Sequence, residues 1–223
     1  RWQWSFLDHH LCHQASAFLA APFESCAVMT LDGRGERATT TYGLWRDGRY
    51  RTLDAVLVPH SLGLLYEQVT AHLGFLPSSD EYKVMALAAI GHPVYADALA
   101  DRLQLRSGGQ FVLMALDLEA LVGPPRVPGT PLRQSHVDLA ASLQSVLERK
   151  VLKLAEWLRE TTGEPALAMA GGVALNCVMN ARLRDEGPFE AIWVQPAAGD
   201  AGTALGAALW TDGRARARPA PGG

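Results

Sequence analysis

The apolar positions fall into two regimes along the chain. A helical run from Asp8 through Leu19 and Ala20 is broken at Ala21-Pro22-Phe23, and the unbroken apolar run Cys26-Ala27-Val28-Met29-Thr30-Leu31 then suits a buried strand. Thr39 to Trp45 alternates like a strand with one wet face, Asp47-Gly48 marks a hairpin turn, and Tyr50 to Val58 supplies a third strand. The spacing therefore predicts a three-stranded meander. Ser61 caps a helix from Leu62 to Leu73, with Leu64, Leu65, Val69 and Leu73 on its apolar side and Gly74 as its stop. A shorter helical piece holds Glu81 to Ala89 and ends near Gly91-His92-Pro93.

Residues 94–134 carry weak signals punctuated by Gly108-Gly109 and Pro124-Pro125, and are expected to be an irregular insertion. Ser135, with Asp138 three residues on, reads as a capping box opening a long amphipathic helix that runs to about Thr162 and closes at Gly163. From there strands and helices alternate. A strand at Ala166 to Ala170 is followed by a turn at Gly171-Gly172, a helix from Val173 to Asp185, a strand from Ala191 to Val194, and a small-residue helix through Ala208. Such alternation implies parallel strands joined by right-handed crossovers, an α/β fold in residues 1–212. The arginine- and proline-rich residues 213–223 are expected to be a flexible tail or linker.

Composition narrows the function classes. At 48% hydrophobic residues the chain can bury a core, and a net charge of −3 argues against a nucleic-acid-binding surface. No apolar run approaches the roughly 18 residues a membrane span needs. Cys12, Cys26 and Cys177 form no CxxC pair and no even framework, so reduced thiols in a cytoplasmic setting are expected. Arg1-Trp2-Gln3-Trp4 runs into the first helix with no initiating Met, which suggests a fragment whose Trp2 and Trp4 packed on an upstream segment.

Candidate chemistry begins in that first helix. Three of the seven histidines stand at His9, His10 and His13, and on a helix His9 and His13 lie one turn apart on one face, spaced to share a divalent metal. A metalloprotease of this spacing has Glu after the first His; His10 stands there, so peptidase chemistry is excluded. The plain alternative is a polar face with solvated histidines. A metal would also want an oxygen ligand.

Two strand ends offer one. Asp32 follows an apolar strand directly, with Gly33 and Gly35 allowing close backbone approach to a ligand, although Asp-Gly also makes ordinary turns. Asp200, in Gly199-Asp200-Ala201-Gly202, is either the N-cap of the last helix or the missing carboxylate. At a further strand end, Gly171-Gly172 before Val173 suits a phosphate at a helix N-terminus or simply tight packing. Asn176 and Asn180 share a helix face and either bond a ribose or base or face solvent. Lys83, in an otherwise apolar helix, either snorkels or meets an anion.

Six motifs in order carry a resemblance: His9-His10-x-x-His13 with Ala15-Ser16-Ala17-Phe18; Leu31-Asp32-Gly33-x-Gly35-Glu36; Pro59-His60-Ser61-Leu62-Gly63-Leu64-Leu65-Tyr66; Glu81-Tyr82-Lys83-Val84-Met85; Gly171-Gly172-Val173-Ala174-Leu175-Asn176-Cys177; and Gln195-Pro196-Ala197-Ala198-Gly199-Asp200-Ala201-Gly202. Together they resemble the nodulation-type (NodU) O-carbamoyltransferases. The resemblance implies an actin-like, sugar-kinase (ribonuclease-H-like) fold with a mixed sheet, one half of it complete, related to the ATPase subunit that forms threonylcarbamoyladenosine on tRNA. It implies transfer of a carbamoyl group from carbamoyl adenylate, made from carbamoyl phosphate and ATP by an accessory domain absent from this chain, to a hydroxyl of a small molecule.

Carried over by motif, the metal ligands are His9, His13 and Asp200, with Asp32 as an addition. The metal is commonly iron in the relatives, and the mixed N/O set also suits Mn²⁺ or Zn²⁺. Gly33, Gly35, Lys83, Gly171, Gly172, Val173, Asn176 and Asn180 are the expected contacts of nucleotide or carbamoyl adenylate. The sequence identifies no general base. It departs from the family pattern at Asp80, where Gly is usual, and at Ala86, Ala89 and Ile90 in place of Gly, Pro and Tyr. The alternatives are a kinase or ATPase on the same cleft, which would use carboxylate-bound Mg²⁺, and a non-catalytic nucleotide-binding fragment.

Overall fold

A computed structural model describes residues 4–217. Five strands form one mixed sheet in the order β3-β2-β1-β6-β7, with β1 (Cys26–Leu31), β2 (Ala38–Arg46), β3 (Arg49–Leu57), β6 (Ala166–Ala170) and β7 (Ala191–Val194). The meander β1-β2-β3 is antiparallel, whereas β6 pairs parallel to β1 and β7 parallel to β6. A small second hairpin joins β4 (Leu103–Leu105) to β5 (Phe111–Leu113).

The sheet is sandwiched because its central strands are apolar on both faces. Along β1, Ala27, Met29 and Leu31 join the larger core with Leu167 and Met169 of β6. Cys26 and Val28 turn to the opposite face with Ala166, Ala168 and Ala170. The larger core is closed by α2 (Leu62–His72) and α6 (Gln134–Thr162), the smaller by α1 (His9–Phe18). Alanine at every α1-facing position of β6 lets that helix lie close against the strand. Phe18 then stacks on Tyr50 and Trp45, with ring centroids 4.6 and 4.8 Å apart.

The stretch expected to be irregular is ordered into α4 (Ala96–Arg102), the β4-β5 hairpin and α5 (Leu118–Val122). Its anchors, Leu99, Leu103, Phe111 and Leu118, are buried in the larger core, and they are too widely spaced for a periodic signal. Helix α6 starts differently from expectation as well. His136 Nδ1 accepts the Arg133 N–H at 3.1 Å, while Asp138 accepts the His92 N–H at 2.8 Å and tethers the segment that follows α3 (Glu81–Ala88) instead of capping its own helix. The helix expected from Val173 splits into a 3₁₀ turn (Gly172–Leu175) and α7 (Cys177–Glu186), because Asn176 leaves the helix and its Oδ1 accepts the Met179 N–H at 2.9 Å. The last helix, α8 (Ala201–Ala217), continues past Ala208 into the expected tail, whose final residues lie outside the described ones. So does Trp2; Trp4 and Phe6 are exposed.

Candidate metal centre and adjoining cleft

Helix α1 is started by Asp8, whose carboxylate accepts the Leu11 N–H at 3.1 Å. This cap places His9 and His13 on one face, and their Nε2 atoms stand 3.1 Å apart. Asp32 Oδ2, at the end of β1, is 3.0 Å from His9 Nε2 and 3.7 Å from His13 Nε2. Asp200 Oδ1, just before α8, is 3.6 and 3.5 Å from the same two nitrogens. One donor atom from each residue fits within 4.8 Å of all the others. With metal–ligand bonds of about 2.0–2.1 Å, neighbouring donors in an octahedral or tetrahedral shell lie roughly 2.8–3.4 Å apart, so these separations are close to the edges of a coordination polyhedron. Two imidazole nitrogens and two carboxylates converging in this way fit a divalent cation.

The surroundings orient the donors. Asp32 uses Oδ1 to accept the Gly172 N–H at 2.9 Å, which turns Oδ2 toward the histidines. Burial alone would raise the pKa of this carboxyl, but bonds from His13, the Gly172 N–H and His9, together with the charge of His13, outweigh it and hold the pKa well below the usual carboxylate range. Ser61 Oγ donates to the Gly33 carbonyl at 2.7 Å and accepts the Leu64 N–H at 3.0 Å, fastening the Asp32 turn to the start of α2. His10 faces away from the metal donors. Its Nδ1 lies 3.2 Å from Thr41 Oγ1, which accepts from Gln14 Nε2, and burial lowers its pKa against the opposing charge of Asp32.

Beside the four donors opens a cleft of about 590 Å³, lined by the three strand ends that carry Asp32-Gly33, Gly172-Val173 and Gly199-Asp200. These are the C-terminal ends of β1, β6 and β7, the edge at which open α/β sheets bind ligands. Close backbone approach dictates two of the glycines. Gly171 has φ +97°, and a Cβ there would strike the Leu31 carbonyl; a Cβ on Gly63 would sit 2.6 Å from Gly33 Cα.

Of the sequence-predicted contacts, Gly33, Gly172, Val173 and Asn176 line the cleft. Gly35 instead passes beneath the histidines, where a Cβ would meet His10 Cδ2 at 2.7 Å. Asn176 is also committed internally, exchanging amide hydrogen bonds with Gln144 at 2.8 and 3.0 Å. Asn180 Nδ2 donates to the Ala174 carbonyl at 2.7 Å and braces the 3₁₀ turn. Lys83 pairs with Asp80 at 2.9 Å, outside the cleft wall, so the residue standing where Gly is usual takes up the lysine's charge. The motif reading passed over Glu67, which lines the cleft and whose Oε1 would lie 3.2 Å from a Cβ on Gly33. Its position four residues after Gly63 on the same helix face was the available signal.

With this geometry established, comparison with known proteins is decisive about kinship. Residues 1–209 match the family model described as carbamoyltransferase N-terminus. The chain belongs to the carbamoyltransferase N-terminus family. The nodulation protein NolO of Bradyrhizobium diazoefficiens is 42% identical over 223 residues, covering 96% of this chain and 40% of that protein. NolNO of Sinorhizobium fredii is 41% identical over 213 residues, covering 92% and 31%. An uncharacterized protein of Synechocystis is 44% identical over 219 residues, covering 92% and 36%. The carbamoyltransferase domain thus spans about a third of the length of these relatives. Among solved structures, full-length HypF in its phosphate- and nucleotide-bound form matches with a TM-score of 0.54 at 13% identity, covering 95% of this chain and 36% of that one. That likeness concerns the fold alone, which is of the expected actin-like class.

Proposed function

We propose that this domain performs the transfer step of an O-carbamoyltransferase, moving the carbamoyl group of carbamoyl adenylate to a hydroxyl of a small molecule in secondary-metabolite or nodulation-factor-like biosynthesis. The observation that carries this reading is the convergence of His9, His13, Asp32 and Asp200 at the wall of a cleft edged by strand-end glycines. Family membership and the names of the nodulation relatives support it.

A divalent metal held by these four residues, Fe²⁺ first and Mn²⁺ or Zn²⁺ after it, would supply Lewis-acid and template chemistry to the phosphate of the carbamoyl donor. The protein's own contribution is order. Asp32 stays ionised and aimed by the Gly172 N–H, and His13 is fully buried so that its ring cannot swing into solvent. Gly33, Gly172 and Gly199 leave no side chain between the backbone and an anionic ligand, and Glu67 and Tyr66 form the opposite lining. A kinase or ATPase would take its Mg²⁺ on carboxylates and phosphates and has no use for two imidazoles at this point.

The adenylate itself would come from an accessory domain outside this chain, in keeping with relatives some two to three times as long. No helix among the described residues is long and apolar enough to cross a membrane, and Cys12, Cys26 and Cys177 are all free thiols, which suits the reducing cytoplasmic setting proposed for it. The complete polypeptide, supplied with carbamoyl phosphate, ATP and a candidate acceptor, is expected to release AMP and add one carbamoyl group to the acceptor by mass spectrometry. Residues 1–223 alone are expected to do neither. Transfer of a phosphoryl group in place of the carbamoyl group would overturn the assignment.

A further inference from the structure

Histidines that bind metals almost always tie their second ring nitrogen to a carboxylate, carbonyl or water, and that tie sets the angle of the ring. Among the described residues no protein group takes up the second ring nitrogen of either histidine of this cluster. His13 Nδ1 is buried without a partner, and both bonds of the His9 ring use Nε2. Burial fixes the His13 ring, which has no exposed side-chain surface, but the His9 ring is 24% exposed and needs another restraint.

The structure supplies one through the backbone. Glu36 reaches from the turn after β1 to the first turn of α1, and both of its oxygens accept the His9 N–H, at 3.1 and 3.2 Å. This turn is the one that carries Asp32, and it is closed by the Gly35 N–H donating to the Ala38 carbonyl at 2.8 Å. It also lies directly under the rings. A Cβ on Gly35 would come within 2.7 Å of His10 Cδ2 and 3.3 Å of His9 Cδ2.

From this geometry we infer that Glu36 is a positioning residue of the metal centre: its carboxylate clamps the α1 backbone at His9 to the turn bearing Asp32, and so sets the His9–Asp32 separation. The inference rests on the proposed metal site. Glu36 touches neither metal nor substrate, and its side chain is exposed, so a role confined to helix capping is the competing explanation.

Cobalt(II) separates the two, because its visible absorption reports the arrangement of the ligands. The probe is titrated into the purified 223-residue chain and into Glu36→Ala, Glu36→Gln and His13→Ala, with affinity taken from chelator competition and the thermal midpoint measured without metal. If Glu36 positions His9, Glu36→Ala binds cobalt about 10- to 100-fold more weakly, the range for outer-shell changes, with a shifted visible spectrum. Glu36→Gln, whose amide oxygen still accepts the N–H, recovers most of both. If Glu36 only caps the helix, Glu36→Ala lowers the thermal midpoint while affinity and spectrum match the parent, and the inference is overturned with the metal site intact. A parent chain that binds no better than His13→Ala overturns the site and the inference together.

Discussion

At the scale of single residues, the proposed centre has two carboxylates in opposite circumstances. Asp32 is buried, pinned by the Gly172 N–H and strongly acidic, whereas the Asp200 side chain is 80% exposed. Losing Asp32 is therefore expected to cost more. Asp32→Ala should weaken metal binding beyond the roughly 10–100-fold of an outer-shell change, and Asp200→Ala should cost less; equal losses in a chelator competition would contradict this ordering. The histidine spacing and the two aspartates were legible because each sits at a helix turn or strand end that periodicity locates. The commitments of Lys83 to Asp80 and of Asn180 to the Ala174 carbonyl were not legible, since a short local bond competes with ligand contact without changing the sequence pattern.

At the scale of elements, the four side chains come from one helix and two strand-end turns held in register by close packing. Helix α8, which begins just after Asp200, crosses α1 at Gly206, where any Cβ would collide with the Cys12 carbonyl. Gln195, just after β7, donates through Nε2 to the Ser16 carbonyl and ties α1 to that strand end. Gly206→Leu should destabilise the fold by about 1–3 kcal/mol through overpacking and move Asp200 away from the histidines. The expected signs are a thermal midpoint several degrees lower and weaker metal binding, and unchanged metal affinity would show that α8 does not set the site. Small residues signal a closely packed last helix, but its partner at this crossing could not be read from the chain, because a glycine within such a run gives no sign of which neighbour it touches. The mutually parallel strands β1, β6 and β7, by contrast, matched expectation to the residue, since a short apolar run bounded by turn residues has few other uses.

Another element-scale consequence concerns pH. His136 at the start of α6 has its pKa lowered by burial and then by the charges of Arg133 and Arg126, and burial also lowers that of His72 at the end of α2. In the unfolded chain both titrate near 6.5. Below that pH the unfolded state binds more protons than the folded one, so stability must fall as the pH drops through about 6.5. Asp32 and Asp138, with depressed pKa values, act in a separate window; their contribution is present above about pH 4 and is lost only below it. Urea midpoints should thus be lower at pH 5.5 than at pH 7.5, with His136→Gln reducing the difference. A midpoint that rises on acidification would refute the assignment.

For the molecule as a whole, one sheet edge gathers residues separated by most of the chain: His9 and Asp200 belong to opposite ends of the sequence and meet at 3.6 Å. Motif order pointed to the family, and the alternation of strands and helices pointed to the fold. Residues 94–134 escaped because short helices and a hairpin stabilised by scattered anchors such as Leu99 and Phe111 leave no period to detect. The central claim is that His9, His13, Asp32 and Asp200 form a metal centre serving carbamoyl transfer. Metal content per chain tests it most directly, measured by elemental analysis after purification and again after loading with Fe²⁺ without oxygen, for the parent, His9→Ala and His13→Ala. The account predicts close to one divalent metal per parent chain and little in either variant, with all three folded by circular dichroism. Equal metal in all three, or none in a folded parent after loading, would contradict it.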